Sequence, residues 1–568
     1  MRKDLKPALF FCFNGAYSFS LVLKDLFAGI TVSIVSVPLA LAFAIASGAR
    51  PEQGLYTAII AGLIVALFGG SRYQVSGPTG AFVLLIFSTI EKFGFEGLII
   101  ATLLAGVILI VMGLFRFGAL MKFVPYPVII GFTSGLALFL FLNQLPDFLG
   151  LKCTSLPKDF FSRFLLIAKE SVHTSPYSVM IAGLTILIMI VWPRFIKKFP
   201  GSLVAIFVTV LLVSFFHLPV ETIQDRFGEI STALPSVHFP ALEWNLFVEV
   251  IPSAIAIALL AGIESLLSAV VADGMTGTRH NSNGELIAQG IANIFSVLFS
   301  GIPATGAIAR TATNIKNGAH TPVAALVNAL FLVLILLILG QFVVLIPLAT
   351  LAGILTVVAY NMSEWRHFKK LFYSPRRDIA VLLTTFFLTV FTDLITAIEV
   401  GIILATLLFV DHAARTSKTY FLKDPLYCKE SDDSLRDVEE QNIPDEIEIF
   451  EVLGPLFFAA AESFKNTLTT VKRPPKVLIV RLRHVPSIDA SGIRALEDIL
   501  DKSRRDRTVL LLSGVTQALR KILERSGFLC HLGEDRVFSH IDLAVVKAKE
   551  ICLEKAGESL NAVLATPV

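Results

Sequence analysis

Long apolar stretches, separated by short polar connections, fill the chain from residue 23 to residue 412. A helix that crosses a bilayer needs roughly 20 mostly apolar residues. By that standard the sequence predicts fourteen spans, near 23–46, 51–69, 78–91, 95–114, 123–143, 175–193, 200–217, 247–273, 284–300, 305–316, 320–342, 343–360, 378–396 and 397–412. The third and tenth are short. Residues 157–172 and 363–373 read as amphipathic helices lying at the membrane surface. Pro125, Pro127 and Pro347 are expected to kink the fifth and twelfth spans. Past residue 412 the pattern changes. Residues 413–442 are polar and acidic and predict a linker. Strand patterns at Glu446–Leu453, Lys476–His484 and Arg507–Ser513 then alternate with helical ones at Phe458–Leu468, Ala490–Ser503, Thr516–Ser526 and Asp542–Cys552. Such alternation predicts a small sheet covered by helices.

Charge sharpens the division. Residues 1–412 carry 46 Lys, Arg, Asp and Glu, and the 156 residues after them carry 47. With a hydrophobic content of 55% and a mean hydropathy of +0.74, the chain is not a string of soluble domains. Its net charge of +3 is too weak and too dispersed for a nucleic-acid partner. The five cysteines are scattered, with no CxxC and no Cys/His cluster, so neither a disulfide framework nor a metal site is expected. A phosphate-binding loop, a nucleophile–base pair and a cofactor loop are all missing, which argues against an enzyme. Orientation follows from the basic residues. With the N-terminus inside, the inner loops hold thirteen Lys and Arg and the outer loops seven. The positive-inside rule therefore predicts a cytoplasmic N-terminus and a cytoplasmic C-terminal domain. No removable signal peptide is expected.

The two short spans carry the chemistry. The third opens Gln74-Val-Ser-Gly-Pro-Thr-Gly-Ala81, and the tenth opens Gly301-Ile-Pro-Ala-Thr-Gly-Ala307. Both place Thr-Gly-Ala ahead of a short helix. Paired Gly/Pro-interrupted segments at corresponding positions mark transporters built from inverted repeats. Pro78 and Pro303 suit a chain that is extended before it turns helical. Two helices that start at mid-membrane aim free N–H groups and positive dipole ends inward, which makes a site for an anion. Ionisable residues inside spans are costly and functional. Arg310 falls in the first turns of the tenth span and adds positive charge there. Glu264 lies near the middle of the eighth span, with Ser268 one turn on. It is free to pair with Arg310, to accept a proton or to bind sodium. Asp273 reads as an interfacial charge, and His280, Asn281 and Asn283 as solvated or helix-capping. Phe43 could line a cavity beneath a broken first span or simply pack.

These residues resemble the SulP anion transporters. The resemblance rests on Ser71-Arg-Tyr-Gln-Val-Ser-Gly-Pro-Thr79, Glu264-Ser265, Ala309-Arg310-Thr311, and Ser487-Ile-Asp-Ala-Ser-Gly492, which is similar to the Asp-x-Ser-Gly loop of STAS domains. It implies an all-α membrane domain of fourteen segments in a seven-plus-seven inverted repeat, a core moving against a gate, and a small cytosolic α/β STAS domain. The expected divisions are 1–412 for the transport domain, 413–442 for the linker, 443–555 for the STAS domain and 556–568 for a tail. By position, the resemblance implies an anion site of Phe43, Thr79, Gly80, Ala307, Ile308, Ala309 and Arg310. Glu264 takes the coupling-ion position, with Ser268 beside it. Ser491 matches a serine that is phosphorylated in similar domains, or else caps the helix behind it. The sequence departs from many members at Leu39, where they have Gln, and at Ala307-Ile-Ala-Arg310, where they have Ser-x-Ser-Arg. Pro38-Leu-Ala-Leu-Ala-Phe43 looks more like the bicarbonate branch, whose sodium site pairs Asp with Thr; Glu with Arg is closer to the proton-coupled sulfate and dicarboxylate branches. The expectation is ion-coupled sulfate uptake, with proton favoured over sodium. Bicarbonate or a small dicarboxylate is the alternative cargo; a passive channel or an anion-sensing scaffold is the remote one. No cofactor is implied. A homodimer in a bacterial-type plasma membrane is.

Overall fold

The computed structural model describes residues 7–12, 18–119, 125–151, 157, 160–196, 200–240, 244–392, 394–416, 418–421, 443–457 and 474–564. It divides into two units, Met1–Ala405 and Thr406–Val568.

The first unit is helical. Its main helices are α1 (Phe19–Ala46), α2 (Pro51–Phe68), α3 (Phe82–Leu114), α4 (Tyr126–Leu149), α5 (Phe160–Glu170), α6 (Pro176–Phe195), α7 (Gly201–Phe216), α8 (Ile251–Thr276), α9 (Ser282–Leu298), α10 (Ile308–Lys316), α11 (Val323–Val343), α12 (Leu348–Met362), α13 (Arg376–Phe391) and α14 (Leu394–Thr416). Among the described residues seven are long and apolar enough to cross a membrane: α1, α2, α3, α4, α6, α8 and α11. The rest are shorter or more polar. The run Phe82–Leu114 is two helices joined at Gly94, whose φ of 72° breaks the helical path. That places the expected end of the third span at a residue that adopts positive φ without a Cβ penalty. The prolines expected to kink spans do not do so. Pro125 and Pro347 precede the first turns of α4 and α12, and Pro127 lies in the first turn of α4, where a missing N–H costs nothing.

The helices sort into two bundles. In one, α3 packs on α8 and α9, α2 on α9 and α11, α1 on α2 and α11, and α8 on α10. In the other, α4 packs on α12 and α13, and α12 and α7 on α6. Close approach is set by glycine. A Cβ on Gly290 of α9 would stand 2.5 Å from the Gly106 carbonyl of α3, and one on Gly106 would stand 2.7 Å from the Gly290 carbonyl. The two backbones therefore touch directly.

The second unit is a five-stranded sheet in the order β3-β4-β5-β6-β7. The strands are β3 (Lys418–Phe421), β4 (Ile447–Leu453), β5 (Val477–His484), β6 (Val509–Ser513) and β7 (Val537–Phe538). The last four run parallel, with helices α15 (Ala490–Arg505), α16 (Gln517–Arg525) and α17 (Ile541–Leu564). Two expected boundaries move. Residues 418–421, placed in the linker, pair antiparallel with β4, because Thr419, Tyr420 and Phe421 favour strand despite the charge around them. The last helix also continues through much of the expected tail, since the isolated Gly557 is tolerated within it. The helix expected at 458–468 lies outside the described residues.

Replacing Gly290 by Val should force α3 and α9 apart. The expected cost is ~1–3 kcal/mol, read as a lower melting temperature of the detergent-purified protein. An unchanged melt would show that the two helices do not need this contact.

Candidate anion-binding site

The lead-in segments of the third and tenth spans are held against each other. Ser76–Gly77 (β1) and Thr305–Gly306 (β2) form an antiparallel pair with Ser76 opposite Gly306 and Gly77 opposite Thr305. All four residues are buried. The Ala307 N–H donates to the Val75 carbonyl at 2.9 Å, so the pairing runs past the strands themselves. An extended backbone at this depth needs partners, because lipid offers none. They come from polar side chains on α8, α9 and α10. Ser265 accepts from the Gly306 N–H at 3.1 Å and meets Thr305 Oγ1 at 2.8 Å. Gln74 donates to the Ser265 carbonyl at 3.0 Å. Thr311 accepts from the Val75 N–H at 3.1 Å, and Asn314 donates to the Tyr73 carbonyl at 3.0 Å. Ser76 Oγ lies 2.9 Å from the Thr305 carbonyl and 3.0 Å from Gln289 Oε1. Two glycines leave room for these side chains. A Cβ on Gly306 would collide with the Gln74 amide, and one on Gly77 with the Arg310 guanidinium.

Each extended segment ends where a helix begins. The N-cap residues are Ala81 for α3 and Ala307 for α10, and neither has a side-chain oxygen to accept from the first turn. Ser, Thr, Asp or Asn would normally fill that role. In α10 the N–H groups of Ile308, Ala309 and Arg310 lack intrahelical acceptors by helix geometry. Ile308 is 40% exposed and Ala309 is exposed too, so this helix end faces open space. Gly80 at the start of α3 faces Phe43 of α1 and Met362 of α12, which lie 3.1 and 2.7 Å from where its Cβ would stand. Met362 belongs to the second bundle. The site therefore opens on the seam between the bundles.

The two charged candidates do not pair with each other. Glu264 Oε2 accepts from the Thr79 hydroxyl at 2.9 Å. Arg310 is 2% exposed, and its Nη2 donates to the Pro78 carbonyl. Its Nη1 has no acceptor among the described residues. The static Glu264–Arg310 pair that the sequence left open is not formed. Each side chain instead holds one of two adjacent residues in the lead-in to the third span. Ser268 is buried and donates to Thr311 at 3.1 Å, which ties it to α10 rather than to Glu264.

Four further expectations resolve. Asp273 is held within the protein by His280, whose Nδ1 lies 2.7 Å away and whose ring is 6% exposed. Asn281 caps α9 by accepting from the Gly284 N–H, and Asn283 accepts from the Gly118 N–H. Ser491 does not cap α15; Asp489 does, accepting from the Gly492 N–H at 2.8 Å, which leaves Ser491 exposed. Sequence reasoning passed over Gln74, Ser265, Thr311 and Met362. The first three stood inside quoted motifs as polar residues at membrane depth, a signal that could have singled them out. Met362 has none.

A profile of the sulfate permease family matches residues 22–385, and one of the STAS domain matches residues 440–544. The chain belongs to the sulfate permease family. It is an anion transporter of that family, an integral membrane protein and not an enzyme. It is 41% identical to a putative sulfate transporter of Bacillus subtilis over 522 residues, covering 91% of this chain and 96% of that one. It is 31% identical to a bicarbonate transporter of a Picosynechococcus species, over 88% of this chain and 90% of the relative. The solved transmembrane domain of a cyanobacterial bicarbonate transporter covers 68% of this chain, and 98% of its own, at a TM-score of 0.61 and 32% identity. The overall structure of SLC26A9 covers 96% of this chain and 93% of its own at a TM-score of 0.85 and 19% identity, which shows the same helical membrane fold with its STAS domain.

Ser265→Ala should leave the buried Gly306 N–H without an acceptor. A loss of ~1–3 kcal/mol in stability is expected, together with weakened anion uptake. Wild-type melting and uptake would mean that the paired segments do not depend on α8.

Proposed function

We propose that this chain takes up sulfate by secondary active transport coupled to an ion gradient, with a proton as the coupling ion. The reading rests on one observation above others: two alanine-capped helix starts brought together by the Ser76–Gly306 pairing, with Glu264 bonded to Thr79. The anion is held between the starts of α3 and α10, by the open N–H groups of Ile308, Ala309 and Arg310, with Thr79, Gly80 and Ala307 beside them and Phe43 as an apolar wall. Arg310 supplies a full charge, which suits a divalent anion. The similarity to a putative sulfate transporter supports the same cargo, while the similarity to bicarbonate transporters keeps bicarbonate as the second reading. The fold runs as fourteen segments in two inverted halves, with the α3 bundle moving against the α4 bundle. The protein works as a homodimer in a bacterial-type plasma membrane, with its N-terminus and STAS domain in the cytoplasm. Exposed Ser491 is a candidate phosphorylation site.

Coupling follows from one hydrogen. The Thr79 hydroxyl has a single proton to donate. While it serves the Glu264 carboxylate it cannot serve an anion. Protonation of Glu264 releases it to turn toward the cargo, so proton and anion favour each other. A sodium ion needs several oxygens around it, whereas one carboxylate is enough for a proton. Among the described residues no cation pairs with Glu264 and no cluster of metal-ligating groups occurs.

Counterflow of labelled sulfate, bicarbonate and succinate into proteoliposomes, with and without a pH or sodium gradient, tests the whole reading. Flux that ignores both gradients would make the protein a passive pathway; no flux at all would favour a sensing role. Glu264→Gln keeps an oxygen for Thr79 but carries no titratable proton. It should abolish gradient-driven uptake and spare exchange of internal for external anion; wild-type accumulation in that variant removes Glu264 from coupling. Arg310→Ala should weaken divalent anions more than monovalent ones, by about tenfold if one charge-assisted contact is lost. An equal loss for both counts against sulfate.

A further inference from the structure

The amphipathic helix α5 turns apolar side chains away from the protein and a charged one into it. Phe161, Phe164 and Leu165 are exposed, at 58%, 52% and 65%, while Arg163 is buried to 1% exposure. Arg163 and Ile167, one turn apart, form its buried face. A buried arginine needs partners. Its Nε donates to the Pro157 carbonyl at 2.8 Å, and its Nη1 donates to Asn143 of α4. Its Nη2 has no acceptor among the described residues. The guanidinium carbon lies 5.0 Å from the ring centre of Phe139 in α4 and 5.5 Å from that of Phe87 in α3. Glu91, one turn beyond Phe87, is the carboxylate whose charge acts on it. Phe87 and Glu91 are i and i+4 on α3; Phe139 and Asn143 are i and i+4 on α4. Each helix thus turns one face toward the same side chain.

The placement matters because α3 and α4 belong to different bundles. Phe87 lies five residues past the first residue of the helix whose start carries Thr79 and Gly80, about 7–8 Å along its axis. Phe87 and Asn143 also line a cavity of about 940 Å³ at the seam, on the side where α1 ends at Ala46 and Gly48 follows. Arg163 is a cation held between an aromatic ring of α3 and one of α4, across the seam between the bundles.

We propose that Arg163 is a latch. Clasped between Phe87 and Phe139, it holds this end of the seam closed, and its release lets the site-bearing half-helix move relative to α4. Arg163 is a positioning residue: it touches neither the candidate anion site nor Glu264. The inference rests on the proposed movement of one bundle against the other. Desolvated cation–π contacts are the strong ones. Removing them should raise the population of the opened seam by about three- to tenfold.

The test is a spin–spin distance distribution in the full-length protein in liposomes. Labels go on cysteines replacing Lys92 on α3 and Leu165 on α5, both exposed. Arg163→Gln removes the charge and Phe87→Leu removes one ring while keeping apolar bulk. Both should enlarge a longer-distance population and change the maximal rate of anion exchange with little change in half-saturation. Phe87→Tyr retains a ring and should match the wild-type distribution. A purely packing role would lower stability in Arg163→Gln and Phe87→Leu without adding a longer distance. That result, or unchanged distances in Phe87→Leu, overturns the latch. Should Arg163→Gln fail to fold, Phe87→Leu decides alone. If wild-type vesicles show no anion flux, the transport reading fails, while the distances still decide the clasp.

Discussion

An extended backbone at membrane depth must find every hydrogen-bond partner inside the protein. The rest of the site depends on that constraint. Residues 73–77 and 302–307 meet it in two ways: by pairing with each other, and by borrowing polar side chains from α8, α9 and α10. Thr57 of α2 joins them, accepting from the Ile302 N–H at 2.7 Å, and Asn293 of α9 accepts from the Ala304 N–H at 2.9 Å. Each of these donors and acceptors is uncharged and buried. A helical bundle with serine, threonine, asparagine and glutamine on its inner faces is therefore what permits two helices to begin inside the bundle.

With the backbone satisfied, the charged residues are left for other work. Had Glu264 and Arg310 formed an ion pair, each would have neutralised the other in a low-dielectric setting, where breaking such a pair is expensive. Instead Arg310 braces the Pro78 carbonyl and Glu264 draws on the Thr79 hydroxyl. Positive and negative charge act on neighbouring peptide units. A change of charge at Glu264 is then felt at Thr79 directly.

Much of this was legible in the sequence. The paired Thr-Gly-Ala motifs, their prolines and their positions ahead of short helices pointed to facing helix starts, and the structure brings those stretches into backbone contact. Arg310 and Glu264 stood out because charge in a span is rare. Their partners did not stand out, because a partner is a fact of three dimensions. Nothing in the spacing of Glu264 and Arg310 distinguishes a shared ion pair from two separate bonds to residues nearly two hundred positions away or more. Met362 was invisible for a related reason: it ends a helix of the opposite bundle and meets Gly80 only once the bundles are packed. In the second unit the parallel strands were readable from their β-branched runs, whereas β3 was hidden inside an acidic segment whose composition argued for a linker.

The choice of alanine at both helix starts now has a physical meaning. A serine or aspartate at Ala81 or Ala307 would satisfy the first-turn donors from within and stabilise each helix by about 1 kcal/mol. The chain forgoes that stability at both places. In α3 the Phe82 and Val83 N–H groups reach the Thr79 and Gly80 carbonyls at 3.3 Å, so the open donors are those of Ile308, Ala309 and Arg310 in α10. On the proposed cycle an arriving anion supplies the missing caps. Thr79 links it to Glu264, so filling one position alters the other. On the proposed cycle the bond between Thr79 and Glu264 joins the two ions. A static scaffold would gain more from capped helices and a closed Glu–Arg pair than from this arrangement.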